Sequence, residues 1–140
     1  MNADRIVPRL WQGSAPKGRI PFDVIVLTAE EYQPPSHCFG QSEVVRAPNQ
    51  DTESLSLGQI RGAVRAAKTV ADRWKHGKRI VVTCRQGRNR SGLVVALALH
   101  LIYGVDGKTA AQIVRERRRG ADALTNEAFV GFLERVPGRR

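Results

Sequence analysis

Ile80-Val81-Val82-Thr83-Cys84-Arg85-Gln86-Gly87-Arg88-Asn89-Arg90-Ser91-Gly92 runs straight into the apolar stretch Leu93 to Leu101. Ile80 to Val82 has the composition of a short buried strand, and the apolar stretch is long enough for a buried helix. A tight loop must join them. At a helix N-terminus such a loop aims unpaired backbone N–H groups and the positive end of the helix dipole at one point, which makes an anion site. The same groups favour a thiolate at Cys84, and hence a nucleophile. Arg90 offers a planar fork of donors suited to two oxygens of a phosphoryl group. Gly87 lets the backbone curl its amides inward. Ser91 can give its hydroxyl to the sulfur and help the thiolate depart from a covalent intermediate.

With a strand before it, Gly87 within it, Ser91-Gly92 after it and an apolar helix behind, the loop resembles the Cys-x5-Arg-Ser/Thr signature of cysteine-dependent protein phosphatases, specifically their small dual-specificity branch. The resemblance runs from Leu10 to Leu133, although only the loop is highly specific. On the residues alone, a buried structural cysteine in a basic loop is the competing reading.

The chain has 140 residues, of which 41% are hydrophobic and 26% charged, as expected of one globular domain spanning 1–140. Two cysteines, Cys38 and Cys84, are too few for a disulfide framework, and no Cys or His pair has zinc spacing. No cofactor or metal is expected. The sequence contains no apolar stretch of the roughly 18 residues that a membrane span requires, and Asp4 and Arg5 stand where a signal peptide would be apolar. A cytoplasmic monomer is expected. The net charge of +10 suits a partner rich in phosphate but does not choose among protein, lipid and nucleic acid.

Taken in order, Ile6 to Trp11 reads as a first strand ended by the turn residues Gln12 to Pro16. Leu10-Trp11-Gln12-Gly13-Ser14 resembles the strand-to-loop passage near the start of dual-specificity phosphatases. Phe22 to Thr28 suits a strand buried on both faces. The link from Gly13 to Phe22 is short for the helix that the family places there, so that helix is expected to be reduced or absent. Ala29 to Gln41, with Pro34, Pro35 and Gly40, reads as irregular surface; within it His37 is a solvated residue and Cys38 a half-buried one, with a redox pairing to Cys84 as the sharper alternative. Glu43 to Ala47 is a further short strand. The loop after it carries Asp51, which matches the family's general acid, placed after a strand and before a long helix. Its role would be to protonate the leaving oxygen and then deprotonate water. Loop or cap residue is the plainer reading.

Ser56 to Lys75 reads as an amphipathic helix closed by His76-Gly77. Lys108 to Arg119 reads as another, whose run Arg115-Glu116-Arg117-Arg118-Arg119 is most simply a cationic helix end. His100, inside the apolar helix, reads as a satisfied core residue. A last helix begins at Asn126, which is either an N-cap or, by the resemblance, a brace for the signature loop.

The expected fold is therefore α/β: a single domain with a short, mostly parallel central sheet flanked by helices, dual-specificity phosphatase-like, with the site at the carboxyl end of the Ile80 strand. The resemblance implies a hydrolase acting through a cysteinyl-phosphate: Cys84 as nucleophile, Arg90 on the phosphoryl group, Asp51 as acid and base, and Ser91 on the departing sulfur. Arg85, Gln86, Gly87, Arg88, Asn89 and Arg90 would bind phosphate. Thr83 stands where the family usually has His and would support the loop with a hydroxyl. The implied substrate is phosphotyrosine in protein, with phosphoserine and phosphothreonine beside it. Arg85 and Arg88 also resemble the basic residues of phosphoinositide phosphatases, and Asn89 resembles the residue before the closing Arg in RNA 5′-phosphatases. A phosphate-binding module without turnover is the alternative from another class.

Overall fold

Pro8 and Arg9 divide what the sequence suggests as one first strand. Proline has no N–H for a ladder and Arg9 sits at φ 66°, so the chain reverses. The result is a hairpin of β1 (Ala3–Val7) and β2 (Leu10–Gly13). This computed structural model describes residues 1–139. After the hairpin, residues 14–23 form no helix, in keeping with the short link. Then follow β3 (Val24–Ala29), a 3-10 turn (Ser36–Phe39) and β4 (Glu43–Asn49). Helix α1 (Leu57–Lys75) leads to β5 (Ile80–Thr83), α2 (Arg90–Tyr103), α3 (Gly107–Arg117) and α4 (Glu127–Glu134).

The sheet order is β1-β2-β5-β3-β4, with only the β1/β2 pair antiparallel. β5 lies at the centre and every residue in it is buried, as a strand covered on both faces requires. Gly13 of β2 and Leu27 of β3 both pair with Thr83. The carboxyl ends of β2 and β5 are therefore level, β3 runs two residues further, and Cys84 emerges between two neighbours.

Alternation along the strands sorts the core. Val24, Val26, Ile80 and Val82 face the helices, together with Leu10, while Ile25, Leu27 and Val81 face the other side. That second face is covered by Phe39 of the 3-10 turn and by Ile20 and Phe22 of the link. Phe39 takes the inward position, which leaves Cys38 exposed and not half-buried as expected. Helix α1 begins with a capping box: Ser56 accepts from the Gln59 N–H at 3.1 Å, and Gln59 accepts from the Ser56 N–H at 2.8 Å. It closes at His76, as the sequence suggests. His100 is satisfied by the Val105 carbonyl at 2.8 Å.

Helix α2 starts three residues before the apolar run, so Arg90 is its first residue and the loop is shorter than hydropathy alone implies. The helix α3 ends at Arg117, before the basic run is finished. Arg118 then turns inward and is only 1% exposed. The reading of the whole run as a solvated helix end is thus corrected at this residue.

Candidate active site

Loop 84–90 is built by what seizes its carbonyl oxygens. The Ala15 N–H takes the Arg85 carbonyl at 3.1 Å, and Arg118 Nη2 takes that of Gln86 at 3.3 Å. The Gly87 carbonyl accepts from Gln12 Nε2 at 3.0 Å and from Arg118 Nε at 2.9 Å. The Leu124 N–H takes the Arg88 carbonyl at 3.2 Å. A planar peptide carries its N–H opposite its carbonyl, so outward carbonyls turn the following N–H groups inward. Among the described residues, the N–H groups of Gln86, Gly87, Arg88 and Asn89 donate to no protein atom. They form an anion-binding nest at the N-terminus of α2.

Gly87 is required at its place. Its φ is 69°, and a Cβ there would lie 2.7 Å from the Gly13 carbonyl and collide with the Arg118 guanidinium. The loop is thereby clamped between β2 and Arg118.

Cys84, 4% exposed, lies at the loop's start with its Sγ 3.1 Å from Ser91 Oγ. Arg90 closes the loop and is held by Glu31, a residue that the sequence reading passed over. Arg90 Nη1 and Nη2 donate to the two Glu31 carboxylate oxygens at 2.5 and 2.8 Å, and Nη1 also reaches the Asn49 carbonyl at 3.1 Å. This fork-to-fork pair fixes the guanidinium plane while leaving Nε and further N–H bonds for a ligand. The Arg90 hydrogen bonds pull the Glu31 carboxyl down to about 2. In return Glu31 raises Arg90 above its ordinary value, against the effect of burial. Glu31 follows β3 at the carboxyl edge of the sheet, where α/β folds gather their ligand groups.

Asp51 meets the loop from the β4–α1 connection. Its Oδ2 accepts from Asn89 Nδ2 at 3.0 Å and its Oδ1 from Asn126 Nδ2 at 2.7 Å. Each oxygen keeps a second lone pair, so a proton can still be carried. Asp51, Cys84, Arg85, Gln86, Arg88, Asn89 and Arg90 line one cavity of about 230 Å³. A larger hollow, about 950 Å³, lies between Arg115, Leu124 and α4 on the far side of the loop. It holds no nucleophile, so chemistry selects the smaller one.

The other expected residues fall as follows. Asn126 is both things considered for it: its Oδ1 caps α4 through the Ala128 and Phe129 N–H groups, and its Nδ2 holds Asp51 and the Thr52 carbonyl. It braces the acid, with the signature loop reached through its own N–H on Asn89 Oδ1 at 2.9 Å. The Asn89 side chain is spent on Asp51, Thr125 and Asn126, which leaves only its N–H for an anion. Thr83 donates its hydroxyl to the Val26 carbonyl at 2.8 Å and braces β5 on β3, touching no loop amide. Arg85 and Arg88 are exposed at the mouth, and neither guanidinium has a hydrogen-bond or ion-pair partner among the described residues. Gln12 and Arg118, which tie the loop down, were not anticipated; the one signal was their polar character beside Gly13 and Gly120.

No protein-family model matches the chain, and no curated protein sequence does. Solved structures do. Human DUSP28 superimposes with a TM-score of 0.76 at 21% identity, over 94% of this chain and 90% of that one. A mouse dual-specificity phosphatase complexed with zinc tungstate gives 0.77 at 21%, over 94% and 84%. PTPMT1 in complex with PI(5)P gives 0.76 at 16%, over 94% and 92%. The chain has the fold of the dual-specificity and protein tyrosine phosphatases.

Proposed function

We propose that this protein is a cysteine-dependent phosphomonoester hydrolase whose substrate is phosphotyrosine in protein, with phosphoserine and phosphothreonine beside it. The observation that carries the reading is the nest of four unpaired amides set between Cys84 and Arg90. Three phosphoryl oxygens would sit on those amides and on Arg90, with phosphorus above the sulfur. Cys84 attacks in line, the P–S bond forms and the P–O bond to the leaving group breaks. Asp51 gives that oxygen its proton. Asp51 then takes a proton from water, which attacks phosphorus and expels Cys84 as thiolate, releasing inorganic phosphate. Arg90 and the amides hold the developing charge, so neither step calls for a metal. Among the described residues no helix is long and apolar enough to cross a membrane.

A second reading has its own support. The unpartnered Arg85 and Arg88 at the mouth suit a substrate with further phosphate beyond the one attacked, as a phosphoinositide has. The RNA 5′-end reading rested on Asn89, whose side chain is engaged elsewhere.

The test is hydrolysis of p-nitrophenyl phosphate in EDTA by the wild type, Cys84→Ser and Asp51→Asn across pH. Turnover that vanishes in Cys84→Ser, and changes its pH profile in Asp51→Asn, is expected. A wild type inert toward this substrate, phosphotyrosine peptide, phosphoinositide and triphosphate RNA would overturn the reading, and phosphopeptide binding without turnover would make it a binding module.

A further inference from the structure

Gln12 is a fully buried amide near the end of β2, where an apolar side chain would serve packing better. Its Nε2 donates to the Gly87 carbonyl at 3.0 Å and to Ser91 Oγ at 3.1 Å, with the Arg88 carbonyl at 3.4 Å. Its Oε1 is buried with no partner among the described residues. A buried acceptor left unpaired carries the full cost of its lost hydration. Turning the amide over would not relieve that cost, because Oε1 would then face two carbonyl oxygens. The amide orientation is therefore imposed by the loop, and the NH₂ end is the end in use.

This orientation settles another. The Ser91 hydroxyl is itself fully buried and has two neighbours able to bond it, Gln12 Nε2 and Cys84 Sγ. An amide nitrogen can donate but not accept. Ser91 Oγ must accept from Gln12, and its one proton is left for the sulfur at 3.1 Å.

We propose that Gln12 is a positioning residue that fixes Ser91 as a hydrogen-bond donor to Cys84 Sγ, and so controls departure of the thiolate from the cysteinyl-phosphate. The second clause rests on the hydrolase reading; the first does not. In that step water attacks phosphorus, the P–S pair returns to sulfur, the water proton goes to Asp51, and the Ser91 O–H hydrogen-bonds the new thiolate without transferring its proton. With Gln12 replaced by an apolar residue the hydroxyl rotates freely. With Gln12→Glu the carboxylate accepts from Ser91 and draws its proton away from sulfur.

The experiment compares wild type, Q12M, Q12L, Q12E, S91A and Q12M/S91A, after thermal melting identifies those that fold. Two readouts are taken: the pH midpoint of Cys84 alkylation by iodoacetamide on the free protein, and rapid-quench kinetics with p-nitrophenyl phosphate. Q12M, or Q12L should Q12M not fold, is expected to move the alkylation midpoint upward as S91A does, with no further movement in the double variant. It should slow breakdown of the cysteinyl-phosphate about tenfold while formation changes little, the size of one hydrogen bond to a charged group. Q12E should exceed Q12M in both. An apolar variant with the wild-type alkylation profile, or additive effects in the double variant, would overturn the assignment. A wild type that forms no cysteinyl-phosphate would sink the hydrolase reading alone, and the alkylation arm would still decide the Gln12–Ser91–Cys84 chain.

Discussion

Replacing Arg118 by methionine keeps much of the side chain's bulk and removes its guanidinium from beneath the loop. Four contacts go with it: Nε to the Gly87 carbonyl at 2.9 Å, Nη2 to those of Gln86 at 3.3 Å and Asn2 at 3.5 Å, and Nη1 to Asp4 at 2.7 Å. They are not equally costly. The Gly87 carbonyl keeps Gln12, and Asp4 keeps the Gly120 N–H at 2.8 Å and reaches water, its side chain being 26% exposed. The Asn2 carbonyl keeps the Ser14 N–H at 2.9 Å, so only the Gln86 carbonyl loses its one protein partner. The loss therefore falls below the 3–5 kcal/mol of a fully buried broken pair, at about 3 kcal/mol. For a domain of this size that lowers the melting temperature by about 10 °C. Because the Gln86 and Gly87 carbonyls set the direction of the next two amides, kcat/KM should fall at least about tenfold. The assay is a thermal melt beside steady-state hydrolysis, with Arg118→Lys as companion. Lysine keeps the charge for Asp4 but has no fork for two carbonyls, so it should restore more stability than activity. A methionine variant within about 3 °C and twofold of wild type would refute the idea that Arg118 holds the loop.

Glu31→Gln should remove a pH dependence as well as a charge. The Glu31 carboxyl is lowered from 4.5 to about 2, so its pairing stabilises the fold fully above the unfolded value and is lost as pH falls through the folded one. Its side chain is 43% exposed, so screening limits the contribution to about 1 kcal/mol, or about fivefold in kcat/KM. Acid unfolding profiles of the two proteins should differ at neutral pH and converge toward pH 2; parallel profiles would remove Glu31 from the account of Arg90. Asn126→Ala loses a helix cap, about 1 kcal/mol by melting, and one of the two donors on Asp51. Its kcat should fall more with phosphoserine peptide, a poor leaving group, than with p-nitrophenyl phosphate, and equal losses would argue against a role in orienting the acid.

The core of the fold was legible because it is written locally. β5, the loop and α2 are contiguous, and the capping residues Ser56 and Asn126 sit directly before the helices they start. The nucleophile, its arginine and Ser91 belong to one segment. What was missed is held by contacts across the chain. Arg118 stands in a basic run that looks solvated from its neighbours, and only the end of α3 at Arg117 reveals that it turns inward. Glu31 lies three residues ahead of Pro34-Pro35 in a stretch without periodicity, and its value comes from Arg90, 59 residues away. Gln12 reads locally as a turn residue, and its burial depends on β5 arriving beside β2. The hairpin was missed for another reason: two short strands around Pro8-Arg9 have too few residues to declare separate periods.

The contacts of Asn2 and Asp4 give the chain's first residues a distant responsibility. Asn2 donates to the Gly120 carbonyl, and Asp4 grips both Gly120 and the arginine beneath the loop. Loss of either side chain would therefore loosen loop 84–90 from about 80 positions away along the sequence, without touching anything that lines the cleft.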